Sequence, residues 1–128
     1  DAYRARTSAG FRALAKKAAG DGDRFVQLLA RALAEEMKAS GWTAGCLAQS
    51  FAQELAPRDG EITEAIAALF DEWIEIAATA IAPASDRRHA RTRALALIAA
   101  LEGARTLART QRSAAPFEAV AKQFTKEV

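Results

Sequence analysis

Few side chains in this 128-residue chain could carry out catalytic or metal chemistry, and those few stand apart from one another. The sequence contains one histidine, His89, and one cysteine, Cys46, so every site that needs two of either type is excluded. His89 lies among arginines in an expected exposed turn, where a solvated side chain is favoured over a general base. The metal-binding spacings CxxC, HExxH and DxDxDG do not occur. We therefore predict a protein that is not an enzyme and that holds no cofactor or metal.

Cys46 is the one nucleophile whose position in the sequence could activate it. It follows Gly45 and opens a short predicted helix, about residues 46–55, and a helix N-terminus lowers the pKa of a thiol. One interpretation is a redox-sensing or ligand-contacting thiol, and the other is a small buried core residue. A single cysteine excludes a disulfide within the chain and suits a reducing cytoplasm, which is the predicted location.

Charged side chains are unevenly distributed along the chain. Residues 59–86 carry 7 acidic and no basic side chains, whereas residues 87–128 carry 9 basic and 3 acidic ones. The acidic Asp71, Glu72 and Glu75 are interpreted as a solvated helix face rather than as acid–base groups. The basic run that opens the second stretch opposes the dipole of its own helix, so the preceding acidic helix is its predicted partner. A nucleic-acid-binding surface is the alternative interpretation of the basic run.

A binding pocket is the remaining candidate for chemistry. Large apolar side chains are more numerous in the first two-thirds of the chain than simple packing of short helices needs. Pockets between helices are lined in this way, with a few polar groups for orientation, and an ordinary filled core is the alternative. The side chains in question are Phe11, Phe25, Leu29, Met37, Trp42, Phe51, Phe70 and Trp73.

The predicted fold is all-α, a six-helix bundle that forms a single domain over residues 1–128. Alanine is abundant, glycine and proline are few (7 and 3), and β-branched residues are scarce, which favours helix nearly throughout. No apolar run reaches the ~18 residues that span a bilayer, so no membrane partner is expected. The predicted helices cover about residues 1–19, 22–39, 46–55, 60–82, 86–112 and 116–127.

The helical stretch Ala94–Ala108 is apolar on two sides. A helix that is apolar around most of its circumference must be covered twice, by the core of its own chain and, we predict, by a second copy. Its polar residues share one wedge and are Glu102, Arg105, Thr106 and the following Arg109. The bulky side, assigned to the chain's own core, is Leu97, Ile98, Leu101, Ala104 and Ala108. The small-residue side, assigned to the second copy, is Ala96, Ala99, Ala100 and Gly103. The reverse assignment of the two sides is the alternative.

A joint pattern of segments resembles the C-terminal domain of TetR/AcrR-family transcriptional regulators. The segments are Gly45–Leu55, Asp59–Ile62, Ala100–Ala104, Leu107–Arg109 and Ala115–Phe117. The resemblance covers nearly the whole chain, and the order and lengths of the predicted helices agree with that domain.

The resemblance implies a bacterial, cytoplasmic, all-helical homodimer that binds a small, often apolar, inducer. The last two helices of each subunit would pair into a four-helix dimer interface, and the pocket would lie among the earlier helices. The implied ligand-binding residues are Phe11, Phe25, Leu29, Trp42, Cys46, Phe51, Phe70 and Trp73. The implied interface residues are Ala96, Ala99, Ala100, Gly103, Leu107, Phe117, Val120 and Phe124.

The resemblance also implies a three-helix N-terminal domain whose helix-turn-helix binds operator DNA. These 128 residues contain no such pattern, and their opening reads as the middle of a helix, so we expect that domain to be missing from the chain. The expected function is the effector-sensing and dimerisation domain of a repressor that releases operator DNA when a small apolar ligand binds. The alternative is a helical protein-interaction or structural module without a pocket.

Overall fold

The computed structural model describes residues 2–43, 60–81 and 86–126. Over these ranges it consists of α-helices and contains no strand, which confirms the all-α class. The helices are α1 (Ala2–Ala18), α2 (Gly22–Ala39), α3 (Gly60–Ile81), α4 (Arg87–Gln111) and α5 (Ala115–Gln123). The predicted helix over residues 46–55 lies outside the described residues, so a six-helix count stays a prediction. The last helix ends at Gln123, earlier than predicted, with Phe124 as its C-terminal cap.

The connection between α1 and α2 is a tight turn. Ala19 and Gly20 both have positive φ (53° and 87°), and the Asp21 side chain then caps α2 by accepting from the Arg24 backbone N–H at 3.1 Å. Asp21 is therefore the N-cap of α2. Because the connection is so short, α2 runs back along α1.

Gly22, the first residue of α2, lies directly against the end of α3. A Cβ atom built on Gly22 would be 2.6 Å from the Ile81 carbonyl oxygen and 2.9 Å from its Cα. These are backbone atoms, which cannot rotate away as a side chain can. The start of α2 therefore requires glycine for this close approach.

The main core lies where α2, α3, α4 and α5 meet. Its largest fully enclosed side chains include Phe25 and Met37 of α2, Leu97 of α4 and Phe117 of α5. The bulky side of α4 is buried as predicted, and the residues concerned are Leu97, Ile98, Leu101, Ala104 and Ala108. Among the described helices, none has an apolar stretch that could span a bilayer.

α1 packs against α3 through polar contacts to Glu72 and through an aromatic contact. The hydroxyl of Ser8, which is fully buried, donates to the Glu72 carboxylate, and Arg12 lies 3.8 Å from the same carboxylate. The Phe11 ring stacks on Trp73, with centroids 5.3 Å apart and planes inclined by 17°. Glu72 is therefore half-buried against α1, with 23% of its side chain exposed, rather than fully solvated as interpreted from the sequence.

The acidic face of α3 and the basic start of α4 neutralise each other, as predicted. Arg91 donates to Asp71 at 3.0 Å and also to Glu75, and Arg87 donates to Glu75 at 2.9 Å. The hydrogen bonds that Arg91 donates, first to Asp71 and then to Glu75, raise the pKa of Arg91 above its ordinary value. The pairs hold α3 and α4 antiparallel and side by side.

The segment after α5 is tied back to the rest of the chain. Arg93 of α4 donates to the Phe124 carbonyl at 2.7 Å, and its guanidinium lies 5.2 Å from the centre of the Phe124 ring. The Lys126 backbone N–H donates to the Asp23 carboxylate of α2 at 2.9 Å. These contacts connect the C-terminal segment to both α4 and α2.

Candidate functional site

A cavity of about 700 Å³ lies between α1, α2 and α4, with one side chain from α3. This volume falls in the range of pockets that hold small organic molecules. On α1 the lining residues extend from Arg6 to Leu14, which corresponds to a length of about 12 Å at 1.5 Å per residue. The lining residues of α2, Leu29 to Glu36, cover a similar length. The cavity is therefore elongated along the helices.

One end of the cavity is apolar and aromatic. It is lined by Phe11 and Leu14 of α1, which are half-buried, together with Leu29 of α2 and Trp73 of α3, which are buried. The stacked Phe11 and Trp73 rings form one wall. Because α2 runs back along α1, Leu29 lies at the level of this aromatic pair.

The other end of the cavity carries the charged side chains. Arg105 of α4 has an 11% exposed side chain, donates to Glu36 of α2 at 3.2 Å and lies 3.9 Å from Glu102. Arg6 and Thr7 of α1 line the same end. Arg6 and Glu36 are exposed, so this end is the more open of the two. The described residues include no group of three His, Cys, Asp or Glu side chains that could hold a metal ion.

Trp73 provides an unusual polar group at the aromatic end. The residue is only 4% exposed, and its indole Nε1 is sealed from solvent without a hydrogen-bond acceptor among the described residues. Phe70 contacts the indole at right angles, with ring centroids 5.3 Å apart. A buried N–H donor without an acceptor costs about 1–3 kcal/mol, so native structures rarely leave one unused.

The structure brings three of the predicted ligand-binding residues to this cavity, namely Phe11, Leu29 and Trp73. Phe70 lies behind Trp73, and Phe25 is fully enclosed in the core. Trp42 follows the end of α2, has a positive φ of 67° and packs half-buried against the core, outside the cavity lining. Cys46 and Phe51 lie outside the described residues.

None of the charged residues at this end of the cavity is among the ligand-binding residues predicted from the sequence. Glu102 and Arg105 belong to the polar wedge of α4 and are half-buried, whereas Thr106 and Arg109 of the same wedge are exposed, so membership of the wedge does not predict burial. Glu36, which accepts from Arg105, lies on α2, 69 residues away in sequence. Residues so far apart in sequence form no local pattern from which their contact could be predicted.

A second candidate surface is the small-residue side of α4. Ala96, Ala99 and Gly103 are exposed, and Ala100 is half-buried. Two large apolar side chains extend this surface, because Leu95 and Leu107 are 54% and 51% exposed. The small side of α4 is thus uncovered by the described part of its own chain.

The α5 residues assigned to the same surface differ in burial. Val120 and Phe124 are half-buried, whereas Phe117 is 0% exposed and packs in the subunit core. A fully enclosed side chain has no surface to offer a second molecule. Phe117 therefore packs α5 against the core of its own chain. Any contact of α5 with a second copy would be made by residues such as Val120.

Comparison with protein families identifies the family of the chain. A family model described as "Transcriptional regulator LmrA/YxaF-like, C-terminal domain" matches residues 24–123. No curated protein and no solved structure matches the chain. The matched range includes the α2, α3 and α4 walls of the cavity and the exposed side of α4.

Proposed function

We propose a function from the family of the chain, which belongs to the LmrA/YxaF-like C-terminal domains of TetR-family transcriptional regulators. The chain senses an effector and joins two copies of such a regulator into a dimer. The observation that carries the proposal is that one helix serves two surfaces. α4 lines the cavity with residues such as Ile98, Leu101 and Arg105. It also carries the exposed surface around Ala99 and Gly103.

The dimer would form through the small-residue side of α4. Nothing lies within 4 Å of a Cβ atom built on Gly103, and the neighbouring Ala99 is exposed, so a second helix can approach closely there. The exposed Leu95 and Leu107 supply apolar area at either end of this side. A twofold-related copy would bury all of these, with α4 and α5 of both copies forming a four-helix interface.

The mechanism would be a shift in population between subunit arrangements. A ligand in the cavity contacts the Ile98–Arg105 part of α4 and favours the position of α4 that fits it best. Because the opposite side of α4 faces the partner, this preference changes how the two subunits are oriented. Coupling of this kind typically amounts to about 1–3 kcal/mol. The readout would be release of operator DNA by the regulator's DNA-binding domain.

A helical protein-interaction module is the second candidate function. The exposed side of α4 would serve it equally well, but such a module needs no cavity. The cavity of about 700 Å³ with its aromatic wall favours the effector sensor.

Two measurements on the chain test the proposal. Light scattering coupled to size-exclusion chromatography at micromolar concentration is expected to give the mass of a dimer. A thermal-shift screen of small apolar compounds is expected to find ligands that raise Tm. A ligand whose free concentration is 100 times its Kd stabilises the folded chain by about 2.7 kcal/mol. A monomer would contradict the dimer, and a broad screen without any shift would favour the interaction module.

A further inference from the structure

We propose that the outward sides of α1 and α2 form a surface that binds the phosphate backbone of duplex DNA without regard to base sequence. This basic surface lies outside the cavity lining and on this chain itself rather than on a helix-turn-helix domain. It therefore goes beyond the proposed function and does not depend on it. It consists of six exposed cationic side chains, Arg12, Lys16, Lys17, Arg24, Arg31 and Lys38.

The first support is that these cations lack partners within their own chain. Arg12 lies 3.8 Å from Glu72, and the other five make no ion pair with any described residue. The basic start of α4 differs, because Arg87 and Arg91 pair there with carboxylates of α3. The charge of the α4 run is thus largely neutralised, whereas the charge of α1 and α2 is not.

Few carboxylates lie beside these cations. α1 contains no Asp or Glu from Ala2 to Ala18. The exposed carboxylates of α2 and its N-cap are Asp21, Glu35 and Glu36, and the charge of Glu36 is balanced by Arg105. The basic surface therefore keeps an excess of positive charge, although the net charge of the whole chain is only +2. Such a concentration of one sign repels itself and attracts a polyanion.

The second support is the spacing of the cations. Arg24, Arg31 and Lys38 recur every seven residues, which is two helical turns or about 10.5 Å, so they form one row along α2. The row is about 21 Å long, which corresponds to about six base pairs at about 3.4 Å each. Because the tight turn returns α2 along α1, Lys16 and Lys17 lie beside the Arg24 end of the row. The charges are thus extended as a DNA backbone is, rather than gathered around one small anion.

The third support is that the described part of this surface exposes no large apolar or aromatic side chain. The exposed large hydrophobic residues among those described are Leu95 and Leu107, and both lie on α4. A protein partner would need apolar or aromatic anchors, a membrane would need side chains that insert, and single-stranded nucleic acid would need rings for stacking. Contacts to the backbone of a duplex need only cations. Arginine, which supplies half of the six, binds phosphate through two hydrogen bonds at once.

Fluorescence anisotropy of a labelled duplex tests the proposal. The duplex has about 20 base pairs of arbitrary sequence, which is longer than the stretch of about six that the row covers. The chain is expected to bind this duplex and a second, unrelated sequence with equal Kd. The logarithm of the binding constant should fall against the logarithm of the salt concentration with a slope of about −3 to −4, which corresponds to about four phosphate contacts. No binding at low salt, or a slope near zero, would overturn the proposal.

Two matched double variants locate the contact. Arg24→Gln with Arg31→Gln removes two charges from the basic surface, so binding is expected to weaken at least about tenfold at about 0.1 M salt and the slope to become less steep by about 2. Arg88→Gln with Arg112→Gln removes two exposed charges from α4 and its C-terminal cap. This control is expected to change Kd less than about twofold, because at this salt concentration charge effects fade within about 10 Å. Equal weakening by both pairs would show that net charge, and not this surface, causes binding.

Lysine acetylation gives a measurement that needs no variant and so does not depend on how a variant folds. The bound duplex is expected to protect Lys16, Lys17 and Lys38 from an amine-reactive reagent, as read by mass spectrometry. Lys122, which is exposed on α5, is expected to react as it does in the free chain. Equal protection of Lys122 would place the contact elsewhere.

Competition distinguishes duplex DNA from other polyanions. Phosphatidylserine vesicles, poly-glutamate and single-stranded DNA are compared with unlabelled duplex at equal concentrations of negative charge. The unlabelled duplex is expected to displace the labelled one most effectively. If one of the other three displaces it more effectively, the basic surface fits that class of partner and the assignment to duplex DNA is wrong.

Discussion

Ser8 and Glu72, 64 residues apart in sequence, join α1 to α3 through a hydroxyl that is fully enclosed. Replacing Ser8 with alanine removes the donor and leaves a partly buried carboxylate with fewer hydrogen bonds. The free energy of unfolding is therefore expected to fall by about 1–3 kcal/mol. Urea denaturation at fixed protein concentration measures the change. A double-mutant cycle with Glu72→Ala, which removes the acceptor, isolates the pair, and a coupling below about 0.5 kcal/mol would show that the contact contributes little.

The close approach of Gly22 to Ile81 predicts that replacing Gly22 with a larger residue destabilises the folded chain. Gly22→Ala places a Cβ 2.6 Å from the Ile81 carbonyl oxygen, so α2 and α3 must separate. Overpacking of this kind costs about 1–3 kcal/mol of stability. Gly60→Ala is the matched control, because Gly60 also begins a helix and has nothing within 4 Å of an added Cβ. Equal melting temperatures for the two variants would show that the helices adjust without cost.

The exposed small side of α4 predicts that a charge there separates the subunits of the proposed dimer. Ala99→Glu places a carboxylate where a twofold-related copy would bring its own, so a shift from dimer to monomer is expected. Light scattering across a concentration series measures the mass. Ala67→Glu, on the exposed side of α3, is expected to leave the mass unchanged. If Ala99→Glu also leaves it unchanged, the interface lies elsewhere.

The pairs of Arg91 with Asp71 and Glu75 predict a stabilisation that salt weakens and alkali does not. Hydrogen bonds to Asp71 and then to Glu75 raise the pKa of Arg91 in the folded chain. The contribution of Arg91 to the free energy of unfolding is therefore fully present below its pKa in the unfolded chain, and it is lost as the pH rises through its pKa in the folded chain. Arginine stays protonated throughout the range in which proteins remain folded, so moderately alkaline pH should not remove the contribution.

Arg91→Gln is accordingly expected to lower Tm slightly in dilute buffer. The difference from the unmodified chain should vanish in about 1 M salt, where the screening length is about 3 Å. Arg31→Gln is the control, because Arg31 is exposed on α2 and makes no ion pair within the described residues. A Tm difference for Arg91→Gln that persists in high salt would point to packing of the side chain instead.

Much of the fold follows from signals that are local in the sequence. The turn at Ala19 and Gly20, the cap at Asp21 and the proline in the first turn of α5 each act within a few residues, so most helix ends could be predicted closely, whereas the end of α5 could not. The matching of the acidic α3 by the basic start of α4 was also predictable, because adjacent antiparallel helices of opposite charge attract each other.

The candidate site was predictable only in part. Phe11 and Phe25 occupy similar positions in amphipathic patterns, yet Phe11 lines a cavity and Phe25 fills the core. The difference depends on the distances between helices, which no periodicity contains. In the same way, the ion pair of Arg105 with Glu36 depends on how α2 and α4 cross.

The double use of α4 limits how this domain can change during evolution. Cavity-lining Ile98 adjoins exposed Ala99 in sequence, and cavity-lining Glu102 adjoins exposed Gly103. A substitution that alters ligand preference from α4 therefore also perturbs the proposed partner surface one residue away. The cavity residues of α1, Arg6 to Leu14, lie on a different helix from the proposed partner surface. Substitutions that change ligand preference among related domains should accordingly concentrate on α1, while the sequence of α4 varies slowly.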